Sequence, residues 1–187
     1  YTHVSIEFLL GLPKAAEFCA ATIQLRSQHL DTKANVKSAL DHIDDALAKA
    51  VREGGRAINL VVLPELSLSG ALWNSKQAEL CSEEIPGRTT DLFAKKAQEK
   101  DLFMVLGMAE RAEGQLYNSS VLIGPEGVLD KYRAVHLSAR DRSWASSGES
   151  GFATFDLPFA RIGMLLGYDL LFPEAADSLA KLGADML

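Results

Sequence analysis

Apolar positions along the chain recur in two patterns that alternate over the first hundred residues. Val36, Leu40, Ile43, Leu47 and Val51 fall at helical steps of four and three, one stripe along a helix that Asp31 or Thr32 caps and Gly54-Gly55 ends. Continuous or strand-like runs lie on either side of it. Phe18 to Leu25 is rich in strand formers, Ile58 to Leu63 is apolar until Pro64 stops it, and Leu102 to Leu106 is closed by Gly107. Thr89-Thr90 caps a second helix through Leu92, Phe93 and Ala97 to about Lys100. The order strand, helix, strand, helix, strand predicts parallel pairing with right-handed crossovers.

Beyond Gly107 the pattern changes. Tyr117 to Ile123 reads as a strand, Gly124-Pro125-Glu126-Gly127 as a turn, and Val128 to Val135 as the return, so the sheet is predicted to be mixed. His136 to Gly151 is polar and rich in serine and arginine, which predicts a long surface loop. Phe152 to Leu157 and Ile162 to Leu166 form a second hairpin about Pro158-Phe159. A last helix runs from Pro173 to Leu182 with Leu179 and Leu182 inward and Gly183 past its end. Gly183 to Leu187 reads as the opening of a further strand, and residues 1–17 carry no assignable pattern.

The bulk properties narrow the function only by exclusion. The 187 residues suffice for one domain, and a formal net charge of −6 argues against a nucleic-acid partner. Two cysteines without a CxxC pair give neither a disulfide framework nor a zinc site, and favour a reducing, cytoplasmic setting. No apolar run approaches a membrane span, and the first twelve residues lack the basic start of a signal peptide. Phosphate-binding, dinucleotide-binding, GxSxG and HExxH motifs are all missing, so neither metal nor cofactor is expected.

Three stretches hold candidate chemistry. Glu65 follows a fully apolar strand, where a partly desolvated carboxylate suits proton transfer. Lys131 lies in a hairpin strand, from which an ammonium can stabilise an oxyanion or simply snorkel at the surface. Arg161 to Glu174 reads as a buried strand that stops at Gly167 and hands over to a helix at Pro173, the place in an α/β layer where a reacting group is presented. Glycine presents no side chain, and on local grounds Gly167 permits a tight turn. His136 reads as a structural histidine, and Trp144 equally as pocket lining or as cover for the core edge.

Together these stretches resemble the nitrilase, or carbon–nitrogen hydrolase, superfamily. The similarity is collinear from Phe18 to Leu187. It rests on Val61 to Gly70 (VVLPELSLSG), on Leu116 to Ser120 (LYNSS) with Gly124 to Gly127 and Lys131 to Leu137 (KYRAVHL), on Gly163 to Glu174 (GMLLGYDLLFPE), and on Leu182 to Asp185. The resemblance implies a four-layer αββα sandwich with mixed sheets over 18–187, lacking the family's C-terminal strands, and copies that associate through their sheets. It also implies hydrolysis of a small amide or nitrile. A cysteine thiolate attacks the substrate carbon, a glutamate serves as general base and acid, and a lysine stabilises the tetrahedral intermediate.

Carried over by position, the base is Glu65, the lysine is Lys131, and the backbone N–H of Tyr168 helps hold the oxyanion, with Tyr168 and Trp144 as substrate-binding residues. The nucleophile position falls at Gly167, so the chain is expected to be inactive or nearly so. Where family members often carry a second glutamate, this chain has Ser143, with Asp141 the nearest acid. Two other readings follow. One is a catalytically silent binding or assembly module that keeps the pocket. The other is direct hydrolysis by a water that Glu65 activates.

Overall fold

The computed structural model describes residues 17–54 and 57–187, so the expectations for residues 1–16 and Gly55 lie outside the described residues. Its centre is a five-stranded sheet in the order β1 (Ala20–Thr22), β2 (Leu60–Val62), β3 (Phe103–Ala112), β4 (Gln115–Gly124) and β5 (Gly127–Arg133). The first three strands are parallel and the last two return antiparallel, the mixed sheet that the pattern predicts.

Alternation along β3 and β4 divides the molecule into layers. Met104, Leu106, Met108, Val121 and Ile123 face the helices α1 (Thr32–Gly54) and α3 (Arg88–Lys100), where Ile43, Phe93 and Ala97 are fully buried. Val105, Leu122 and Tyr132 face the other way, onto a two-stranded sheet of β6 (Thr154–Asp156) and β7 (Arg161–Gly163). Helix α4 (Pro173–Lys181) lies on the far side of β7, where a Cβ on Gly163 would come within 2.8 Å of Leu179. Helix, sheet, sheet, helix is the αββα layering that the resemblance implies.

Several boundaries differ from expectation for local reasons. Strand β3 does not stop at Gly107 but runs five residues further to Ala112. It turns through Glu113 and Gly114, both at positive φ, into β4. The helix α2 (Ser75–Cys81) was not predicted. Only Ala78 and Cys81 face inward there, too few for a stripe, and its clearest signal is the Asn74 side chain accepting from Gln77 N at 3.0 Å. Val51 and Leu182, both expected inward, are exposed, and Ala39 and Ala46 carry the inner face of α1 instead. The predicted further strand at Gly183 to Leu187 is represented by one parallel bridge between Met186 and Ile162.

Candidate active site

The loop after β2 is held by close packing rather than by length. A Cβ on Gly107 would lie 2.6 Å from Glu65 Cα and 2.7 Å from Pro64 O, so β3 passes against this backbone at a distance that only glycine permits. The Ser67 hydroxyl donates to Gly107 O at 3.2 Å, and Leu66 takes a left-handed φ of 48°. These contacts aim Glu65 to the β6–β7 side of the main sheet.

Two elements meet the Glu65 carboxylate there. Asn118 of β4 donates from Nδ2 to Glu65 Oε1 at 2.6 Å. Gly167 closes the other side: a Cβ at that residue would lie 2.7 Å from Glu65 Oε1 and 2.9 Å from Oε2. The carboxylate therefore occupies the space into which a side chain at 167 would project. Gly167 has φ +44°, at the start of a short 3-10 turn over Gly167–Leu171 that follows the buried Leu166.

That turn is anchored by Asp169, which is fully buried. Its carboxylate accepts from the Tyr132 hydroxyl at 2.6 Å and from the His136 backbone N–H at 2.7 Å. It also lies 2.9 Å from His136 Nδ1. Burial, reinforced by the hydrogen bond to Asp169 and its charge, pushes the Tyr132 phenol far above its ordinary range, so it keeps its proton and donates it to Asp169. His136 stacks on Phe172 at 4.0 Å between ring centroids. The histidine is thus structural, as its sequence context suggested, and it fixes the turn that carries Gly167.

The expectation for Lys131 is corrected by the strand register. Lys131 pairs with Val121, and Arg133 with Ser119, so both cations project to the helix-covered face. There they neutralise the buried Glu110, Lys131 through a short ion pair and Arg133 through bonds of 2.8 and 2.6 Å. Burial alone would raise the Glu110 carboxyl. The bonds from Arg133, Lys131 and Ser119 outweigh it and hold the group below the usual glutamate value. The residue opposite Asn118 is Ala134, the first after β5, whose N–H donates to Asn118 O at 2.9 Å. Directly opposed residues of an antiparallel pair share a face, so Ala134 and not Lys131 stands beside Glu65.

Trp144 is likewise corrected. It is buried with Leu66, Leu72, Ala78 and Ala109 beneath the loop and covers the core edge, with its indole N–H left unpartnered. Tyr168 is exposed beside Gly167 and meets Phe172 edge-on, where it remains available to a ligand. Asp141, the candidate second acid, is buried and receives the Ser138 hydroxyl at 2.5 Å and Arg140 Nε at 3.3 Å. Among the described residues no group of three or more histidine, cysteine, aspartate or glutamate side chains could hold a metal.

Sequence reasoning assigned no role to Asn118, Ala134 or Asp169. Asn118 lies within Leu116 to Ser120 and Asp169 two residues from Gly167, so proximity to the quoted motifs is the signal that points to both. Ala134 carried no signal, because its meaning depends on which face of β5 looks at Glu65.

Residues 19–187 match the family model described as carbon–nitrogen hydrolase. A nitrilase of Pyrococcus abyssi is 34% identical over 169 residues, covering 89% of this chain and 62% of that protein. The human omega-amidase NIT2 is 31% identical over 181 residues, covering 91% and 62%. The crystal structure of Saccharomyces cerevisiae Nit3, a member of branch 10 of the nitrilase superfamily, superposes with a TM-score of 0.73 at 26% identity, covering 89% of this chain and 62% of that one. The chain thus spans about three fifths of the length of these relatives.

Proposed function

Because the chain belongs to the carbon–nitrogen hydrolase family, we propose that its pocket is that of a small-amide or nitrile hydrolase in which the chemical step is lost or nearly lost. The observation that carries this is the approach of Glu65 Oε1 to within 2.7 Å of where a Cβ at residue 167 would stand. A carboxylate that adjoins residue 167, once it shifts to admit a side chain there, stands beside that side chain to take the proton of a nucleophile and later return it to a leaving amine. With glycine there, no covalent intermediate can form. Removing a covalent nucleophile costs on the order of 10⁶ in rate where a catalytic triad has been dissected.

The test is ammonia release from a panel of small amides and nitriles. The unaltered chain should give no turnover above background. Rapid turnover by the unaltered chain would refute the proposal.

A second reading, the silent binding or assembly module, is favoured by Ala134. The face that looks at Glu65 carries no ammonium as well as no thiol, and loss of both groups suits a pocket retained for binding. Association of copies through their sheets and a cytoplasmic setting are part of the same proposal, and sedimentation of the chain over a concentration series checks the first of them.

A further inference from the structure

We propose that the Glu65–Asn118 site binds a small primary ammonium compound. This rests on the pocket reading above but differs from it in ligand, since an amide is neutral and an alkylammonium carries charge.

Three observations combine. First, Glu65 has a single hydrogen-bond partner among the described residues, Asn118 Nδ2 at 2.6 Å on Oε1. Its Oε2 has no partner and is not among the sealed, unpartnered atoms, so it reaches solvent. Second, Asn118 is 2% exposed, yet its Oδ1 is buried without a donor. The amide is thus held with Nδ2 on Glu65 Oε1, which fixes one carboxylate oxygen and leaves Oε2 as the acceptor a ligand would meet. Third, among the described residues no cation is paired with Glu65. Lys131 and Arg133 are committed to Glu110 on the opposite face, and His136 to Asp169. Asp169 adds a second buried carboxylate behind the turn.

The site therefore presents one free carboxylate oxygen, and a negative charge with no side-chain cation paired to it among the described residues, beside Gly167, which is exposed and has no side chain to block the approach. The complement is a compact cation with several N–H donors. A primary ammonium has three and no acceptor, and its hydrogen bonds to a carboxylate are charge-assisted. A quaternary ammonium has the charge without the donors. A primary amide has two donors without the charge.

The experiment is titration of the chain with butylammonium, tetramethylammonium and butyramide, followed by calorimetry and by amide NMR shifts. Butylammonium should bind at least about tenfold more tightly than tetramethylammonium, and Glu65→Gln should weaken it by at least about tenfold. Glu65→Gln keeps an oxygen for Asn118 Nδ2, and its melting temperature confirms folding. Gly167→Ala is the second variant. Its Cβ would stand 2.7 Å from Oε1 and displace the carboxylate, so it too should weaken butylammonium.

Butylammonium affinity that is unchanged in both variants, or no saturable binding in the millimolar range, overturns the inference. Butyramide binding without butylammonium binding overturns it while leaving the amide-pocket reading intact. Butylammonium binding that depends on Glu65, with no affinity for any amide, supports the inference and counts against that reading.

Discussion

The Tyr132 hydroxyl donates to Asp169 at 2.6 Å, joining β5 of the main sheet to the turn that starts at Gly167. Both groups are buried and the acceptor is charged, so the bond is the kind that contributes most. Tyr132→Phe keeps the ring against Phe152 and removes the hydroxyl, both the donor to Asp169 and the acceptor facing the Val135 backbone. It should destabilise the fold by about 1.5–3 kcal/mol, read as a lower urea midpoint at unchanged slope. A loss below about 0.5 kcal/mol would mean that the His136 bonds satisfy Asp169 without it.

Gly107 is predicted to be intolerant. The atoms that a Cβ would meet, Glu65 Cα, Pro64 O and Leu66 N, are all backbone and cannot rotate away. Gly107→Ala should cost about 2 kcal/mol or more by overpacking. It should also shift the amide resonances of Glu65 and Asn118. A silent substitution would show that the loop after β2 is not fixed by β3.

Glu110 sets an acid-side dependence. Its folded-state carboxyl lies below the ordinary value of 4.5 because of its bonds to Arg133, Lys131 and Ser119. A depressed carboxyl contributes stability that is present above its unfolded value and is lost as pH falls through the folded one. Glu110→Gln should therefore be less stable than the unaltered chain at pH 7 by about 1–3 kcal/mol. The gap should narrow as pH drops below 4.5. Parallel urea melts at pH 7 and pH 3 check this, and a gap of equal size at both would exclude it.

A thiol at 167 should not be enough for catalysis. The face beside Glu65 has no ammonium, and the position that could supply one is Ala134, whose Cβ lies about 4.5–5.5 Å from that of Asn118 by strand geometry. Gly167→Cys alone should give at most trace ammonia release. Adding Ala134→Lys should raise it by about 10² or more, the scale of one oxyanion-stabilising group. Equal rates for the single and double variants would return the role to some other cation.

The chain pattern disclosed the mixed sheet and the loop that carries Glu65, because each follows from periodicity or from a proline or glycine at a run's end, whereas the layering was implied by the family resemblance. The pattern placed Gly167 at the start of the turn toward the last helix, although β7 ends at Gly163 and residues 164–166 between them are not strand. It failed where the answer depended on register. Lys131 and Ala134 are three residues apart, and which of them looks at Glu65 is decided by their pairing with Val121 and Asn118, partners in another strand. Trp144 lay in a polar stretch, and its burial comes from Leu66, Leu72 and Ala78, which are distant in sequence. Gly107 reads as a terminator along the chain and serves in space as a gap for the neighbouring backbone.

The space at residue 167 also governs how this chain can change. A cysteine arriving there by itself meets an occupied volume, a left-handed backbone that costs about 1–2 kcal/mol for a residue with a Cβ, and no positive partner across the cleft. A lysine arriving first at Ala134 brings an ammonium beside the Glu65 carboxylate but has no reaction to serve. Each step is neutral or harmful until the other is present. Selection acting on one substitution at a time therefore faces a valley between this sequence and a working hydrolase.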